Sequence, residues 1–212
     1  DAEMKGLDGF ALCRVIKETP GLSKTPVIII SGRKITEEGV RFRSELDGAE
    51  VFLTPENVVD AQLIIGSDII MVLDECPAYP SAHEHMKKPM ERTLRWAKRA
   101  KKHFESRICH PRPDRGSRLK NLDSRLRGND NKNNPSSENK RPLLFGIVQG
   151  GVYKDLREQS AKELTKLDFD GYAIGGVSVG ESFAEKKKEV SWSISHLPEN
   201  KPRYVMGLGK PE

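Results

Sequence analysis

Two apolar runs that each end at a pair of glycines stand out in the hydrophobic pattern of the chain. The first, Leu143–Val148, is followed by Gln149 and two glycines, and the second, residues 172–174, is followed by Gly175 and Gly176. A polar segment that favours a helix separates them. This order is typical of a βα unit, whose functional groups lie at the carboxyl ends of the strands. An amide that donates and accepts, beside bare glycine backbone, would suit a flat ligand.

The same pattern recurs along the chain and predicts an α/β fold with about four βα units. Four apolar runs are predicted as strands that end in polar side chains or exposed backbone: residues 69–73 before Asp74, Leu143–Val148 before Gln149, residues 172–174 before Gly175, and residues 203–206, which include Met206. Helical patterns fill the intervals between them. The groups that end the four strands are therefore expected at one end of a parallel sheet.

Local signals place the predicted helices. Thr54 stands before a proline, the order of an N-cap residue and a first helical residue. Met90 begins a run of apolar residues at helical spacing that predicts an amphipathic outer helix, with Pro89 at its start or at a kink. Another helix is predicted over residues 153–167 and a last one over residues 181–196. Three residues of the last helix are candidate core contacts: Phe183, Val190 and Ile194.

Composition limits the classes of protein that the chain could represent. Hydrophobic residues make up 36% and charged residues 32%, no apolar run approaches the length of a membrane span, and no signal peptide opens the chain. Cys13, Cys76 and Cys109 lie far apart, which argues against a disulfide framework or a zinc knuckle. His83 and His85 are a poor metal pair, because residues two apart on a helix point in different directions. We expect a cytoplasmic protein without a metal site, and the start without methionine suggests a fragment.

The net charge of +5 comes from one segment, residues 107–141. This segment holds ten Lys and Arg against four Asp and Glu, so the other residues together carry a charge of −1. It is rich in Asn, Ser, Pro and Arg and has no apolar periodicity, so it cannot bury enough surface to offset its ordering entropy. We interpret it as a disordered basic insertion, with a tRNA-binding arm as the alternative.

Residues 1–32 resemble the middle of a response-regulator receiver domain. In that family an aspartate ends a strand, a glycine-rich loop and a helix follow, and the next strand ends in Ser or Thr. By this resemblance Asp1 would be the phospho-acceptor and Ser31 the switch hydroxyl. Lys5 stands where that family has a proline, and the acidic pair that holds magnesium is missing.

From residue 33 to residue 212, leaving out the insertion, the chain resembles the central part of bacterial tRNA-guanine transglycosylases (queuine tRNA-ribosyltransferases). The shared motifs are RKITEEGV, FLTPE, DIIMVLDEC, TLRWAKR, FGIVQGG, DFDGYAIGG with SVGE, and PRYVMGLGKPE. The resemblance implies an incomplete (β/α)8 TIM barrel, exchange of the wobble guanine of tRNA for queuine or its 7-deazaguanine precursor, and a homodimer for the intact enzyme. It divides the chain into a receiver-like part, 1–32, and a partial barrel, 33–212, interrupted by 107–141.

The resemblance also implies roles for residues at the strand ends. Asp74 corresponds to the carboxylate that pairs with the N1 and exocyclic amine edge of guanine. Gln149 and the Gly176 amide, in the Gly175–Gly176 pair, correspond to donors toward the carbonyl oxygen of the base. Cys76 would line the same pocket.

Three further residues are assigned to the pocket in the same way. Val177 lies where a backbone carbonyl meets the side chain of the deazaguanine. Glu181 resembles the carboxylate that holds that peptide in its alternative orientation. Met206 would cover the plane of the base.

The catalytic parts of the family motif are expected to be absent. The family uses an aspartate nucleophile, a second aspartate within a DSGGFQ motif, and a zinc site of three cysteines and a histidine. Residues 27–32 read VIIISG in place of DSGGFQ, and the chain lacks the other elements. We therefore predict a fragment that recognises the base without catalysing exchange. The alternatives are a receiver-like signalling fragment and a non-catalytic tRNA-binding or purine-binding remnant.

Overall fold

The computed structural model describes residues 34–44, 48–109 and 141–208. It divides the chain into two compact units, residues 1–57 and residues 58–212. The receiver-like segment, with Asp1 and Ser31, lies outside the described residues, as do residues 110–140 of the basic segment.

The described part of the first unit is a small antiparallel sheet that the sequence analysis did not predict. Its strands are β1 (Lys34–Ile35), β2 (Val40–Arg43) and β3 (Glu50–Leu53), in the order β1-β2-β3. On its exposed side Arg41 Nη1 donates to Glu50 Oε1 at 2.8 Å, and the Arg41 guanidinium lies 4.0 Å from the centre of the Phe52 ring. Cross-strand pairs of this kind stabilise a short sheet.

The second unit is built on a parallel sheet of four strands. The strands β4 (Ile69–Met71), β5 (Leu143–Val148), β6 (Gly171–Ile174) and β7 (Arg203–Val205) are neighbours in chain order, and every pair is parallel. Helix α1 (Pro55–Ile65) precedes β4, and the helices α2 (His83–Cys109), α3 (Lys154–Lys166) and α4 (Phe183–Ile194) follow β4, β5 and β6. The sequence analysis predicted this alternation of strand and helix, and the structure confirms it.

The core of this unit lies between the sheet and its helices. Side chains of the central strands, such as Ile147 and Tyr172, pack against the buried faces of α2 and α3, which include Ala97 and Leu164. The ring of Phe169, just before β6, meets Tyr172 edge to face with centroids 6.3 Å apart. Continuous burial of β5 and β6 explains their unbroken apolar sequences.

The structure shows the outcome of three predictions about the helices: the N-cap at Thr54, the place of Pro89 and the burial of Phe183. Thr54 Oγ1 accepts from the N–H of Asn57 at 3.2 Å, as an N-cap residue does. Pro89 lies inside α2, six residues after its start at His83. Phe183 was predicted in the core and is 51% exposed, so that prediction is wrong. It is the first residue of α4, and its ring contacts Lys187 Nζ at 4.6 Å.

The structure describes both ends of the predicted basic insertion, 107–141. Residues 107–109 belong to α2, where Arg107 Nε pairs with Asp60 Oδ1 at 2.8 Å. At the other end, Arg141 donates two hydrogen bonds to Asp170, at 2.7 and 2.6 Å. Both ends are therefore fixed to the unit by ion pairs. No helix in the part of the chain that the structure describes is long and apolar enough to cross a membrane.

Candidate active site

The groups predicted at the strand ends lie on one edge of the parallel sheet. Because all four strands run in the same direction, the residues that follow β4, β5, β6 and β7 leave the sheet on the same side. Gln149 Nε2 donates to Asp74 Oδ2 at 2.6 Å, which joins the ends of β4 and β5 directly. Met206 N donates to Ile174 O at 3.1 Å and joins the ends of β7 and β6 in the same way.

Gln149 is buried at this edge. It is 1% exposed, and its backbone N–H donates to Ser160 Oγ of α3 at 3.1 Å. Burial raises the pKa of Asp74, and the hydrogen bond from Gln149 acts in the opposite direction. The pair therefore presents a carboxyl group and an amide side by side, in a setting where unpaired polar atoms are costly.

The Gln149 amide lies against bare backbone. A Cβ atom at Gly175 would stand 2.8 Å from Gln149 Nε2, and one at Gly176 would stand 2.5 Å from Gln149 Oε1. Gly176 also has φ of +62°, a conformation that side chains with a Cβ disfavour. Both glycines are therefore required for the amide to occupy its place.

A buried arginine, which the sequence analysis missed, holds the backbone behind the amide. Arg157 of α3 is fully buried, and its Nε donates to Gly151 O at 2.7 Å. Its Nη1 donates to Gly175 O at 2.6 Å and its Nη2 to Gly176 O at 2.8 Å. One guanidinium thus fixes the loops that follow β5 and β6.

Glu189 of α4 is the counter-charge of Arg157. Its Oε2 lies 3.2 Å from Arg157 Nη2, while its Oε1 is buried without a hydrogen-bond partner among the described residues. Burial raises the pKa of Glu189 to about 7, although Arg157 acts to lower it. A sequence signal existed: both charged residues lie on the buried stripes of their helices, Arg157 with Ser160 and Leu164.

Beyond the glycine pair, Glu181 determines the orientation of one peptide bond. It is 6% exposed and accepts hydrogen bonds from the N–H of Ser178 and, at 2.9 Å, from the N–H of Val179. The Val177–Ser178 peptide therefore turns its N–H toward Glu181 and its carbonyl away. A Cβ at Gly207 would lie 3.0 Å from that carbonyl oxygen, so it faces the end of β7.

Cys76 and Met206 complete the predicted set. Cys76 is exposed as a residue, but desolvation of its thiol and the nearby Asp74 carboxylate raise its pKa to about 11, against a backbone hydrogen bond from Gly176. Its thiol is neutral near pH 7 and is a poor nucleophile. Met206 is partly buried against the core cluster, beside the strand that ends at Gly175.

The loop between β4 and α2 is attached to the neighbouring helices. Glu75 pairs with Arg92 of α2, and Tyr79 Oη donates to Glu185 Oε1 of α4 at 3.3 Å. His83 Nε2 lies 2.7 Å from Asp155 Oδ2, at the first turns of α2 and α3. These contacts position the loop that carries Cys76.

The described residues contain no group of three His, Cys, Asp or Glu side chains that could hold a metal ion. The zinc that the family resemblance implies for intact members has no ligand set in this part of the chain.

Comparison with known proteins gives one consistent result. A family model described as queuine tRNA-ribosyltransferase matches residues 3–212. The queuine tRNA-ribosyltransferase of Acinetobacter baylyi is 41% identical over 213 residues, which cover 93% of this chain and 47% of that protein. The protein of the same name from Vibrio cholerae is 44% identical over 180 residues, 85% of this chain and 39% of that protein.

A third relative, from Natranaerobius thermophilus, is 39% identical over 213 residues, 93% of this chain and 49% of that protein. The chain thus spans about half the length of the curated relatives it matches. The family match includes nearly all of residues 1–32 and gives no support to the comparison of that segment with a receiver domain.

Proposed function

The chain belongs to the queuine tRNA-ribosyltransferase family, and on that premise we propose that it forms the base-recognition part of a tRNA-guanine transglycosylase. The whole protein would replace the wobble guanine of tRNA with queuine or a 7-deazaguanine precursor, as a cytoplasmic homodimer. The four parallel strands would be consecutive members of a (β/α)8 barrel, which further strands of a longer protein would close.

The observation that carries this proposal is the hydrogen-bonded pair of Asp74 and Gln149 at the ends of β4 and β5. Guanine offers two donors on its N1 and exocyclic amine edge and one acceptor at its carbonyl oxygen. A carboxylate matches the two donors, and an amide beside it can donate to the oxygen. The base would break the present Asp74–Gln149 bond and use both groups.

The remaining residues of the edge suit the rest of such a base. The Gly176 N–H would add a second donor to the carbonyl oxygen. The Val177 carbonyl would accept from the substituent of a deazaguanine, and Glu181 would hold the same peptide in its alternative orientation. Met206 would lie on the plane of the ring, and Cys76 would line the side of the pocket. A tRNA base must leave its stack to enter such a site.

We propose that this chain alone binds the base without exchanging it. Base exchange through a ribosyl-enzyme intermediate needs a carboxylate nucleophile and a second acid–base group near the sugar. Asp74 is committed to the purine edge in this proposal, and the sequence has no DSGGFQ motif. Incubation of the chain with unmodified tRNA and labelled guanine should give no incorporation above a control without protein. Incorporation would contradict the proposal.

Calorimetric titration with guanine and adenine tests base recognition. Guanine should bind at least about tenfold more tightly than adenine, because adenine lacks the N1 donor and the carbonyl acceptor. Asp74→Asn should weaken guanine binding by about ten- to a hundredfold, the cost of removing a charged hydrogen-bond acceptor. Glu163→Gln, on the exposed face of α3, is the matched control and should bind as the wild type does. Equal affinity for both bases would overturn the proposal.

A further inference from the structure

The base contacts proposed above do not include Arg157. Its guanidinium is nevertheless fully buried beside the glycine pair and makes four hydrogen bonds. Three of these bonds go to backbone carbonyls, those of Gly151, Gly175 and Gly176. Burying a charge is costly, and burial lowers the pKa of Arg157 while Glu189 acts to raise it. The guanidinium therefore does something that an apolar residue of similar size could not do: it donates hydrogen bonds to three backbone carbonyls.

The geometry of the peptide bond shows what that use is. In a trans peptide the carbonyl and the following N–H point in opposite directions. Because the Gly175 carbonyl points at Arg157, the N–H of Gly176 points away from it. The Gly176 carbonyl is fixed in the same way, so the N–H of Val177 also points away.

In an extended strand successive carbonyls alternate in direction, and one guanidinium could not donate to both. The left-handed φ of +62° at Gly176 makes the shared direction possible. A second observation agrees with the result: the Gly176 N–H donates to the Cys76 thiol, in the loop that follows Asp74. Two successive N–H groups thus point away from Arg157, and the first points to the loop that follows Asp74, an arrangement that favours an oxygen ligand.

We propose that Arg157 is a positioning residue for base recognition, which turns the N–H groups of Gly176 and Val177 toward the carbonyl oxygen of the bound purine. Glu189 keeps the guanidinium charged and fixes its plane. Lysine could not replace it, because one ammonium cannot hold three carbonyls in the fixed fork geometry of a guanidinium. The inference rests on the proposed function and adds the residue behind its donor pair.

The experiment compares guanine with 6-thioguanine, which keeps the N1 donor and the exocyclic amine but carries sulfur, a weaker hydrogen-bond acceptor, in place of the carbonyl oxygen. Dissociation constants are measured for the wild type, Arg157→Lys and Arg157→Gln, with the exposed Arg203→Lys as the matched control. Circular dichroism verifies that each variant is folded. Amide hydrogen exchange of Gly176 and Val177, followed by NMR without ligand, supplies a reading that does not depend on the base.

The wild type and Arg203→Lys should prefer guanine by at least about tenfold, the value of one or two directed hydrogen bonds. Arg157→Lys should reduce that preference to about twofold or less while changing 6-thioguanine affinity little, and should speed amide exchange at Gly176. A purely structural role would weaken both ligands alike. If Arg157→Gln is unfolded, Arg157→Lys carries the test.

Unchanged preference and unchanged exchange in Arg157→Lys would overturn the inference. A different result would contradict the proposed function: a wild-type protein that shows no preference for guanine. In that case the exchange rates at Gly176 and Val177 still decide whether Arg157 orients this backbone.

Discussion

At the scale of single residues, the space around the Gln149 side chain is filled. Its amide touches Asp74 on one side and the backbone of two glycines on the other, and its own N–H is held by Ser160. Any atom added at this point must displace the amide or the strand behind it, because packed interiors yield little.

Gly176→Ala tests this tolerance. The added Cβ would stand 2.5 Å from Gln149 Oε1 and would force a residue with a Cβ into φ of +62°. We expect a loss of unfolding free energy of about 2–4 kcal/mol, from backbone strain and overpacking together, and loss of guanine binding. Thermal unfolding and calorimetric titration measure the two effects.

Gly66→Ala is the matched control for that change. Gly66 has φ of +83° with nothing within 4 Å of the added Cβ, so only backbone strain remains, about 1 kcal/mol. Guanine binding should be unaffected. Equal destabilisation by the two substitutions would show that contact with Gln149 is unimportant.

Glu189 should make the stability of the protein depend on pH. Its folded pKa of about 7 lies above the ordinary value of 4.5, so the folded state binds the proton more tightly. Its contribution is therefore complete at low pH and is lost as the pH rises through about 7, by about 3 kcal/mol in total. Glu189→Gln, which stays neutral, should flatten this part of the curve.

Urea unfolding between about pH 5 and about pH 8 measures the slope. Glu163→Gln, on an exposed ion pair, serves as the control and should keep the wild-type slope. If Glu189→Gln and the wild type lose stability in parallel, Glu189 does not titrate in this range.

The residues at the strand ends could be located from sequence because each directly follows an apolar run. Asp74 and Gln149 belong to this class. Arg157 and Glu189 do not, because a charged residue in a helix is usually exposed, and only tertiary packing shows which helical stripe turns inward. Their periodicity with buried neighbours was a signal, but the carbonyls that they serve come from other segments.

At the scale of elements, the parallel sheet was predictable and the antiparallel one was not. Buried strands such as β5 are continuous apolar runs with sharp ends. The strands β1, β2 and β3 have two to four residues with charged side chains among them, and they depend on cross-strand pairs that a linear pattern does not reveal.

Helix α4 begins with a capping box that offers a clean test of an element. Ser182 Oγ accepts from the N–H of Glu185, and the Glu185 carboxylate accepts from the N–H of Ser182. Ser182→Ala should lower the unfolding free energy by about 1 kcal/mol. Ser191→Ala, on the exposed part of the same helix, should leave it unchanged or raise it by about 0.5 kcal/mol. The reverse order in thermal unfolding would contradict the capping role.

At the scale of the whole molecule, the second unit leaves apolar side chains at both outer strands of its sheet. Ile69 of β4 is 49% exposed and Tyr204 of β7 is 53% exposed, and Ile65 at the end of α1 is 77% exposed. Outer strands with apolar side chains favour association with other chains. In a longer protein, further strands would cover them under the proposed barrel.

We therefore expect this chain to self-associate as its concentration rises. Ile69→Lys together with Tyr204→Lys should reduce the apparent mass measured by light scattering at high concentration, because charges at outer strands oppose pairing. Asn200→Lys adds a charge at an exposed polar position and should have little effect. A concentration-independent monomer in the wild type would contradict the expectation.

Helix α2 has a consequence for how the family could vary. With 27 residues it is about 40 Å long and runs from His83 to Cys109. His83 lies beside Asp155 near the candidate site, and Phe104, five residues before the end of the helix, lies beside Arg141. The connection to β5 therefore leaves from the far side of the sheet, where Asp170 fixes Arg141. The entropy cost of closing a loop grows slowly with its length, so this connection could change in length at little cost in stability. Because both of its ends lie far from Asp74 and Gln149, such changes would leave the residues proposed for base recognition in place.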